Sequence, residues 1–591
     1  MRSDYDVSNL MYGAQEAAEL DSYQGEPKPR LKPLLLDTVM QGRPPVSSCR
    51  LLQMPNEILA KIVSFVAEDE EALQELARVN SDCCGLSRAC QFSEFEFDYS
   101  PNKIRLLLNL AQGMLGGCSV PGIPDCVRKF TFKPDAYQVR DIHPSVWRRF
   151  QQDPGEEYGG TAEIKEHGAR LLKHIQHSVA LNFKAMRNLE TLVWDCNFPV
   201  DKDTFLLLAS STAHNLLIND TLLAESFSLG PPLTPPSWPL RSLVLMNVSW
   251  HPEAWEPLSL GTDSNSFPRL RKLRIRPGLD VMDKPSFASF LSAPLKSLEL
   301  RHSSFRLFED VIRSHIEEPY RDLEELVVEF DDHRQLITEL ILKHNNLKKL
   351  WVTQTYYMSG RDNSFDRVMI PGLGKGLFNN LRSLYIQWGG QNQDAGLEAD
   401  HFDIMPESLA AICEITTLEQ LGLRCAKMVR WGEYTEDTFP IWLIDHGKLQ
   451  SHLQNLKNLK LLVIRGDTYP PRVNEVFGHR WYYRSNCANQ EDLQTAKDHP
   501  ELAPFVQGDN EQTLAWNHAH LYRMLEYARG YRKVLPKREW MLCGQRPMKF
   551  MEDADGVIQP HPVGNDMDEC KTFIGRVFGL ASEVEIAHLK D

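Results

Sequence analysis

Between residues 270 and 352 one six-residue pattern returns four times: LRKLRI at 270–275, LKSLEL at 295–300, LEELVV at 323–328 and LKKLWV at 347–352. Positions one, four and six are apolar each time. Alternation over positions four to six is the period of a strand that turns one face to a core. The starts lie 25, 28 and 24 residues apart (295−270, 323−295, 347−323). That is too far for a tight hairpin and enough for a strand, a crossover and a parallel return. RQLITELILKHNN (334–346) fills one crossover with apolar residues at helical spacing, Leu336 and Leu340 inward and Ile337 beside them. The stretch therefore predicts an α/β chain of short strands, each followed by a segment that is often helical.

The pattern extends both ways. Upstream stand LRSLVL (Leu240), LETLVW (Leu189), VRKFTF (Val127) and FSEFEF (Phe92). Downstream follow LRSLYI (Leu381), LEQLGL (Leu418) and LKLLVI (Leu459), eleven in all. The step from 240 to 270 is 30, while those from 189 to 240 and from 127 to 189 are 51 and 62, which predicts inserted loops. In the middle the spacing is close to the roughly 20–29 residues of leucine-rich repeats, and the array is similar to that family. In such arrays each strand joins its neighbour and the following segment, such as ESLAAICEITT (407–417), closes the outer face.

Before the array, residues 51–92 are dense in apolar residues at helical spacing. Ile58, Ile62 and Phe65 share one face, with Leu59, Val63 and Val66 beside it. Pro55 suits a first helical turn, and Asn80 or Ser81 can cap a third helix carrying Cys83, Leu86 and Cys90. Leu52, Met54–Pro55, Glu57–Ile58–Leu59, Ile62, Phe65, Leu73, Leu76, Val79–Asn80 and Leu86 together resemble the F-box motif. The third helix departs from it, with Cys83 and Cys84 where an aromatic often stands.

The resemblance implies a substrate-recognition subunit of an SCF-type (cullin–RING) ubiquitin ligase. The chain would bind a Skp-type adaptor, and through it a cullin, by way of Leu52, Pro55, Ile58, Leu59, Ile62, Leu73, Leu76 and Val79. The repeats would hold an unidentified protein substrate while the chain itself does no chemistry. The alternative is an interaction scaffold whose helices only cap the array.

The expected fold class is thus α/β: a three-helix F-box at 48–91, then an irregular leucine-rich-repeat solenoid (a horseshoe) over 92–466. Residues 1–47, with QGEPKPRLKP and QGRPPVSS, read as a flexible leader. Residues 467–591 read as a C-terminal capping region. It holds an amphipathic helix, EQTLAWNHAHLYRMLEYARG (511–530), with Leu514, His518, Leu521, Leu525 and Ala528 on one face and Gly530 able to end it.

Side chains at positions three, five and seven should project from the strand face opposite the core. They place Trp351 beside Tyr385, and a basic rung of Lys272, Arg274 and Arg276 with Arg301 nearby. These six are the candidate substrate contacts. The two rings are either exposed anchors or are covered by the long insertion at 354–380 or the C-terminal region.

Other chemistry is absent or weak. Lys+Arg 65 against Asp+Glu 80 gives a net charge of −15, which disfavours nucleic acid as a ligand. No segment approaches 18 consecutive apolar residues, so no membrane partner is expected. The start has no apolar signal core, and the 12 cysteines form no C-x-x-C pair. A reducing cytoplasmic or nuclear location is expected. PGLGKGLF (371–378) lacks phosphate-loop spacing and reads as a loop. His174 and His177 share a helical face without an acidic or Cys partner. Neither an H-E-x-x-H nor a G-x-S-x-G motif occurs. No enzyme activity, cofactor or metal is expected.

Overall fold

The computed structural model describes residues 34–39, 49–67, 69–107, 123–134, 176–196, 200–219, 221–223, 239–250, 267–277, 288–300, 304–330, 334–354, 365–388, 404–425, 427–430, 438–441, 444–464, 488–506, 510–544 and 546–563. By internal contacts the chain forms two compact units. One comprises 29–299 and 306–311, and the other includes 300–305 and 312–591. The division falls inside the repeat array.

The first unit begins with three helices. Helix α1 (Asn56–Phe65) starts behind Pro55, whose carbonyl accepts the N–H groups of Ile58 and Leu59 at 2.9 and 3.1 Å. Helix α2 (Glu70–Val79) is capped by the Asp69 carboxylate on Ala72 N, with Glu70 and Glu71 in its first turn. Helix α3 (Ser81–Gln91) is capped by Asn80, which accepts Cys83 N at 2.8 Å. Their shared core is Leu52, Leu59, Val63, Ala67, Leu73, Cys83, Leu86 and Cys90. Cys83 and Cys90 take part in this core as small apolar side chains.

Seven strands then run as one sheet among the described residues of this unit: β1 (Glu94–Phe97), β2 (Lys129–Phe132), β3 (Thr191–Asp195), β4 (Asn215–Asn219), β6 (Ser242–Trp250), β7 (Lys272–Pro277) and β8 (Ser297–Leu300). The pairings from β1 to β7 are parallel, and β5 (Leu222–Leu223) adds a short parallel rung to β6. Phe97, Phe132 and Trp194 fall on one register row. Their rings stack at centroid distances of 5.7 and 4.2 Å, so the core row is aromatic where later units use smaller apolar residues.

Strand β4 accounts for one long gap. AHNLLI (213–218) is a unit whose first position is Ala213, which is buried like its leucine counterparts. The step of 51 is therefore two ordinary steps, 24 (213−189) and 27 (240−213).

In the second unit β9 (Glu325–Phe330), β10 (Lys349–Gln354), β11 (Ser383–Gln387), β12 (Gln420–Arg424), β15 (Leu461–Ile464) and β16 (Trp540–Cys543) pair in parallel. A separate antiparallel pair, β13 (Lys427–Arg430) and β14 (Thr438–Ile441), interrupts the chain order. The sheet then turns antiparallel through β17 (Arg546–Glu552) and ends at β18 (Ile558–Pro562). Strand β16 carries the repeat register beyond residue 466. In REWMLC (538–543), Arg538, Met541 and Cys543 take the three inward positions, all buried.

Crossover helices appear where the sequence places them: α4 (Arg334–Lys343), with Leu336, Ile337, Leu340 and Ile341 buried, and α6 (Pro406–Cys413). PGLGKGLF does not form a simple loop. Residues Ile370–Gly374 are a helical turn, α5, and its glycines serve packing. A Cβ on Gly374 would come within 2.6–2.9 Å of Ala411 in α6, and only Gly376 (φ +73°) uses the left-handed region.

Helices α7 (His446–Leu453), α8 (Gln490–Asp498) and α9 (Glu511–Val534) follow. Helix α9 does not stop at Gly530; that glycine admits the Gln450 side chain of α7. His518, Leu521, Leu525 and Ala528 are buried as expected, but Leu514 is exposed. Among the described residues no helix is long and apolar enough to cross a membrane.

Candidate functional site

The candidate helical residues fall into two sets. Leu52, Leu59 and Leu73 are core, and Leu76 packs half-buried against them. Pro55, Ile58, Ile62 and Val79 are exposed, Ile58 by 45%, Ile62 by 38% and Val79 by 66%. Phe65, one turn beyond Ile62 on the same helix face, is 79% exposed, and Leu51 is 45% exposed. An i, i+4, i+7 series puts Ile58, Ile62 and Phe65 on one stripe. Leu59 and Val63, one position later, point into the core. Helix α1 is thus apolar on two adjacent faces and only one is covered.

The strand-face candidates differ more from expectation. Trp351 and Tyr385 are register partners, and their rings stack 3.8 Å apart at 16°. Both are buried, at 4% and 1% exposure, so they are not exposed anchors here. Trp351 Nε1 donates to Thr353 Oγ1 at 3.0 Å, and the Tyr385 hydroxyl donates to Gln387 Oε1 at 3.4 Å. Gln387 Oε1 also accepts from Arg424 at 3.2 Å. Thr353, Gln387 and Arg424 are one register row and all three are buried. Two of these bonds run along a strand and one, from Arg424 to Gln387, crosses between strands, so these buried polar groups have partners.

In the first unit Arg274 is buried and ion-paired with Glu299, also buried. Its charge is neutralised within the sheet. Lys272 is half-buried; Arg276 lies in β7, but its side chain is outside the described residues, as is all of Arg301. Lys272 and Arg274, adjacent but one in the expected basic rung, therefore differ in burial. Alternation along a strand fixes the direction of a side chain, but not what lies across from it. Arg274 and Glu299 hold the same position in consecutive units, so the register that sets Trp351 beside Tyr385 also sets Glu299 beside Arg274.

Metal chemistry has no support in geometry: among the described residues no group of three or more His, Cys, Asp and Glu could hold an ion. His177 is half-buried, and His174 lies outside the described residues. Burial raises the thiols of Cys126 and Cys413 to about 12, which leaves both as inert, small apolar side chains.

No family model matches the chain, and no curated protein matches it. Among solved structures it is similar to an internalin from Listeria monocytogenes str. 4b F2365. The identity is 12% and the TM-score 0.24, covering 49% of this chain and 69% of that one. This is a mixed α/β chain whose long, mostly parallel sheets resemble those of leucine-rich-repeat proteins.

Proposed function

We propose that the chain is the substrate-recognition subunit of an SCF-type ubiquitin ligase. Its three N-terminal helices dock on a Skp-type adaptor, which joins it to a cullin, and its strand array holds a protein substrate. The observation that carries this reading is the uncovered stripe of Ile58, Ile62 and Phe65 on α1, with Val79 on α2. These side chains do not serve the module's own core. Burying each in a partner contributes roughly 1.5–3 kcal/mol before ordering costs. The chain supplies proximity and orientation for the transfer.

The test is co-expression of the full chain with a Skp-type adaptor and capture of the pair. Changing Ile62→Glu together with Phe65→Glu alters only exposed positions. It is expected to abolish capture while leaving the circular dichroism spectrum unchanged. Capture that survives the double change, or a wild-type chain that never captures adaptor, would reject the assignment.

One observation favours the scaffold alternative. Helix α3 ends at Gln91 and β1 begins at Glu94, with Ser93 O accepting Arg128 N and Lys129 N at 2.8 and 3.0 Å. The helices run into the sheet without a linker, as a cap on the array would. In that reading no adaptor is captured and deletion of residues 48–91 destabilises the strands.

A further inference from the structure

The residue just before each strand, position two of the pattern, is fixed beside its counterparts by the backbone. His214 O accepts the N–H groups of Arg241 and Ser242 at 2.6 and 3.1 Å, and Arg241 O accepts those of Arg271 and Lys272 at 2.8 and 3.0 Å. Arg271 O accepts those of Lys296 and Ser297 at 2.7 and 3.0 Å. Side chains at this position therefore form a row at strand spacing, about 4.8 Å.

Like charges in adjacent places repel, and most of the row avoids them. Arg128 meets Glu190 at 2.8 Å, Lys348 meets Glu324 at 2.9 Å, and Glu419 takes Lys460 at 2.8 Å and Arg382 at 3.9 Å. At Arg241, Arg271 and Lys296 the rule fails: three cations follow one another, with His214 at one end and exposed Arg269 in the turn before β7. Among the described residues no carboxylate pairs with Arg241, Arg269, Arg271 or Lys296. Arg271 spends its Nη1 donors on the carbonyls of Pro268 and Leu270 at 2.9 and 3.0 Å. Burial first, then the charges of Arg241 and Arg269, hold the His214 imidazole below its ordinary pKa against the opposing pull of Glu190. A chain of net charge −15 thus keeps an unneutralised run of cations in a row whose other described cations, Arg128, Lys348, Arg382 and Lys460, each meet a carboxylate.

We infer that this row docks an acidic peptide segment of a partner protein. From His214 to Lys296 it spans three strand spacings, about 14 Å, the length of roughly four extended residues. Arginine and lysine at that pitch can each take a carboxylate or phosphate of such a segment. A nucleic acid is less well suited, since a strand binding along the surface would meet the chain's excess negative charge beyond this short row. The inference rests on reading the array as the capturing surface, and it names the chemistry of what is captured. Its test contains no adaptor, so its outcome is separate from that of adaptor docking.

The test is fluorescence anisotropy of labelled octaglutamate with the full chain at low and physiological salt. The comparisons are Arg241→Gln/Arg271→Gln/Lys296→Gln and, in the neutralised part of the row, Arg382→Gln/Lys460→Gln. The expected result is salt-sensitive binding that weakens at least about tenfold in the first variant and less than about twofold in the second. The single reversal Lys296→Glu, at an exposed site, should weaken binding in the same direction and covers any folding defect of the triple variant. Three results would each overturn the inference. They are no binding at low salt, equal loss in both variant sets, or tighter binding of a single-stranded oligonucleotide of equal charge through the same residues.

Discussion

The guanidinium of Arg538 lies under the sheet at a position that other units fill with Leu, Val, Phe or Ala. It sits 5.2 Å from the ring centroid of Tyr531 and 5.6 Å from that of Phe550, and Nη1 donates to the Met541 sulfur at 3.3 Å. Nε and Nη2 have no partner, and burial lowers the group's pKa to about 9. Two desolvated cation–π contacts contribute on the order of 2 kcal/mol each, whereas burying a charge without a counter-ion costs several. The two are comparable, but leucine, which other units place here, removes the cost and supplies apolar packing of its own. Arg538→Leu is expected to stabilise the fold by about 1–4 kcal/mol, visible as a higher urea midpoint; a lower midpoint would show that the aromatic contacts dominate. His344 makes stability depend on pH near neutrality. Its Nε2 accepts Tyr320 N–H at 3.0 Å, which requires the proton on Nδ1, facing Leu340 O at 2.6 Å. Burial depresses its pKa below the usual value, so the unfolded chain binds the proton more readily. Stability from this group is present above about pH 6.5, the ordinary imidazole value, and falls as pH drops toward the lowered one. His344→Gln should flatten the stability profile between pH 7 and 5; an unchanged slope would remove this residue from the account.

At the scale of elements, the close crossing of α5 and α6 depends on Gly374. A methyl there would meet the backbone of Ala411, which cannot rotate away as the end of a side chain could. Alanine's better helix propensity offers up to about 1 kcal/mol, against about 1–3 kcal/mol for overpacking. Gly374→Ala is therefore expected to destabilise by about 1–2 kcal/mol in urea titration, and a neutral or stabilising result would mean the helices can part. This crossing was hidden in the sequence because PGLGKGLF resembles a loop by composition. The eleven leucine-type units were legible, since hydrophobic alternation survives any crossover length. Two further units were not: Ala213 and Arg538 stand where a larger apolar residue would have marked the start. The three helices were legible, the first from Pro55 and the cap of the third from Asn80, while the Asp69 cap of α2 was not read out of the acidic run around it. Which apolar stripe of α1 stays uncovered was not, because Ile58–Ile62–Phe65 and Leu59–Val63–Val66 are equally apolar in sequence. For the strand face, the pairing of Trp351 with Tyr385 followed from register alone, while their burial did not.

At the scale of the whole molecule, a sheet built by repetition must be stopped, because its last strand presents a free row of backbone donors and acceptors. Among the described residues of the second unit that strand is β18, IQPHP, and its prolines stand where they stop further pairing. Phe550 N–H turns away from β18 to Glu539 O at 2.8 Å, so its register partner Pro560 likewise turns its nitrogen away from β17. Pro562, opposite Met548, has the same parity, and Val563 N–H turns inward to Pro547 O at 3.0 Å. Both prolines therefore delete donors from the outer edge, leaving Ile558 as the outward donor of the strand. Exposed Val557 and Ile558 would otherwise offer that edge an apolar neighbour. Changing Pro560→Val and Pro562→Val restores two outward N–H groups and raises strand propensity, without touching the bonds to β17. The double variant is expected to keep its urea midpoint within about 1 kcal/mol and to self-associate with rising concentration in sedimentation velocity. A variant that stays as monodisperse as the parent at the same concentrations would show that the edge is closed by something other than its prolines.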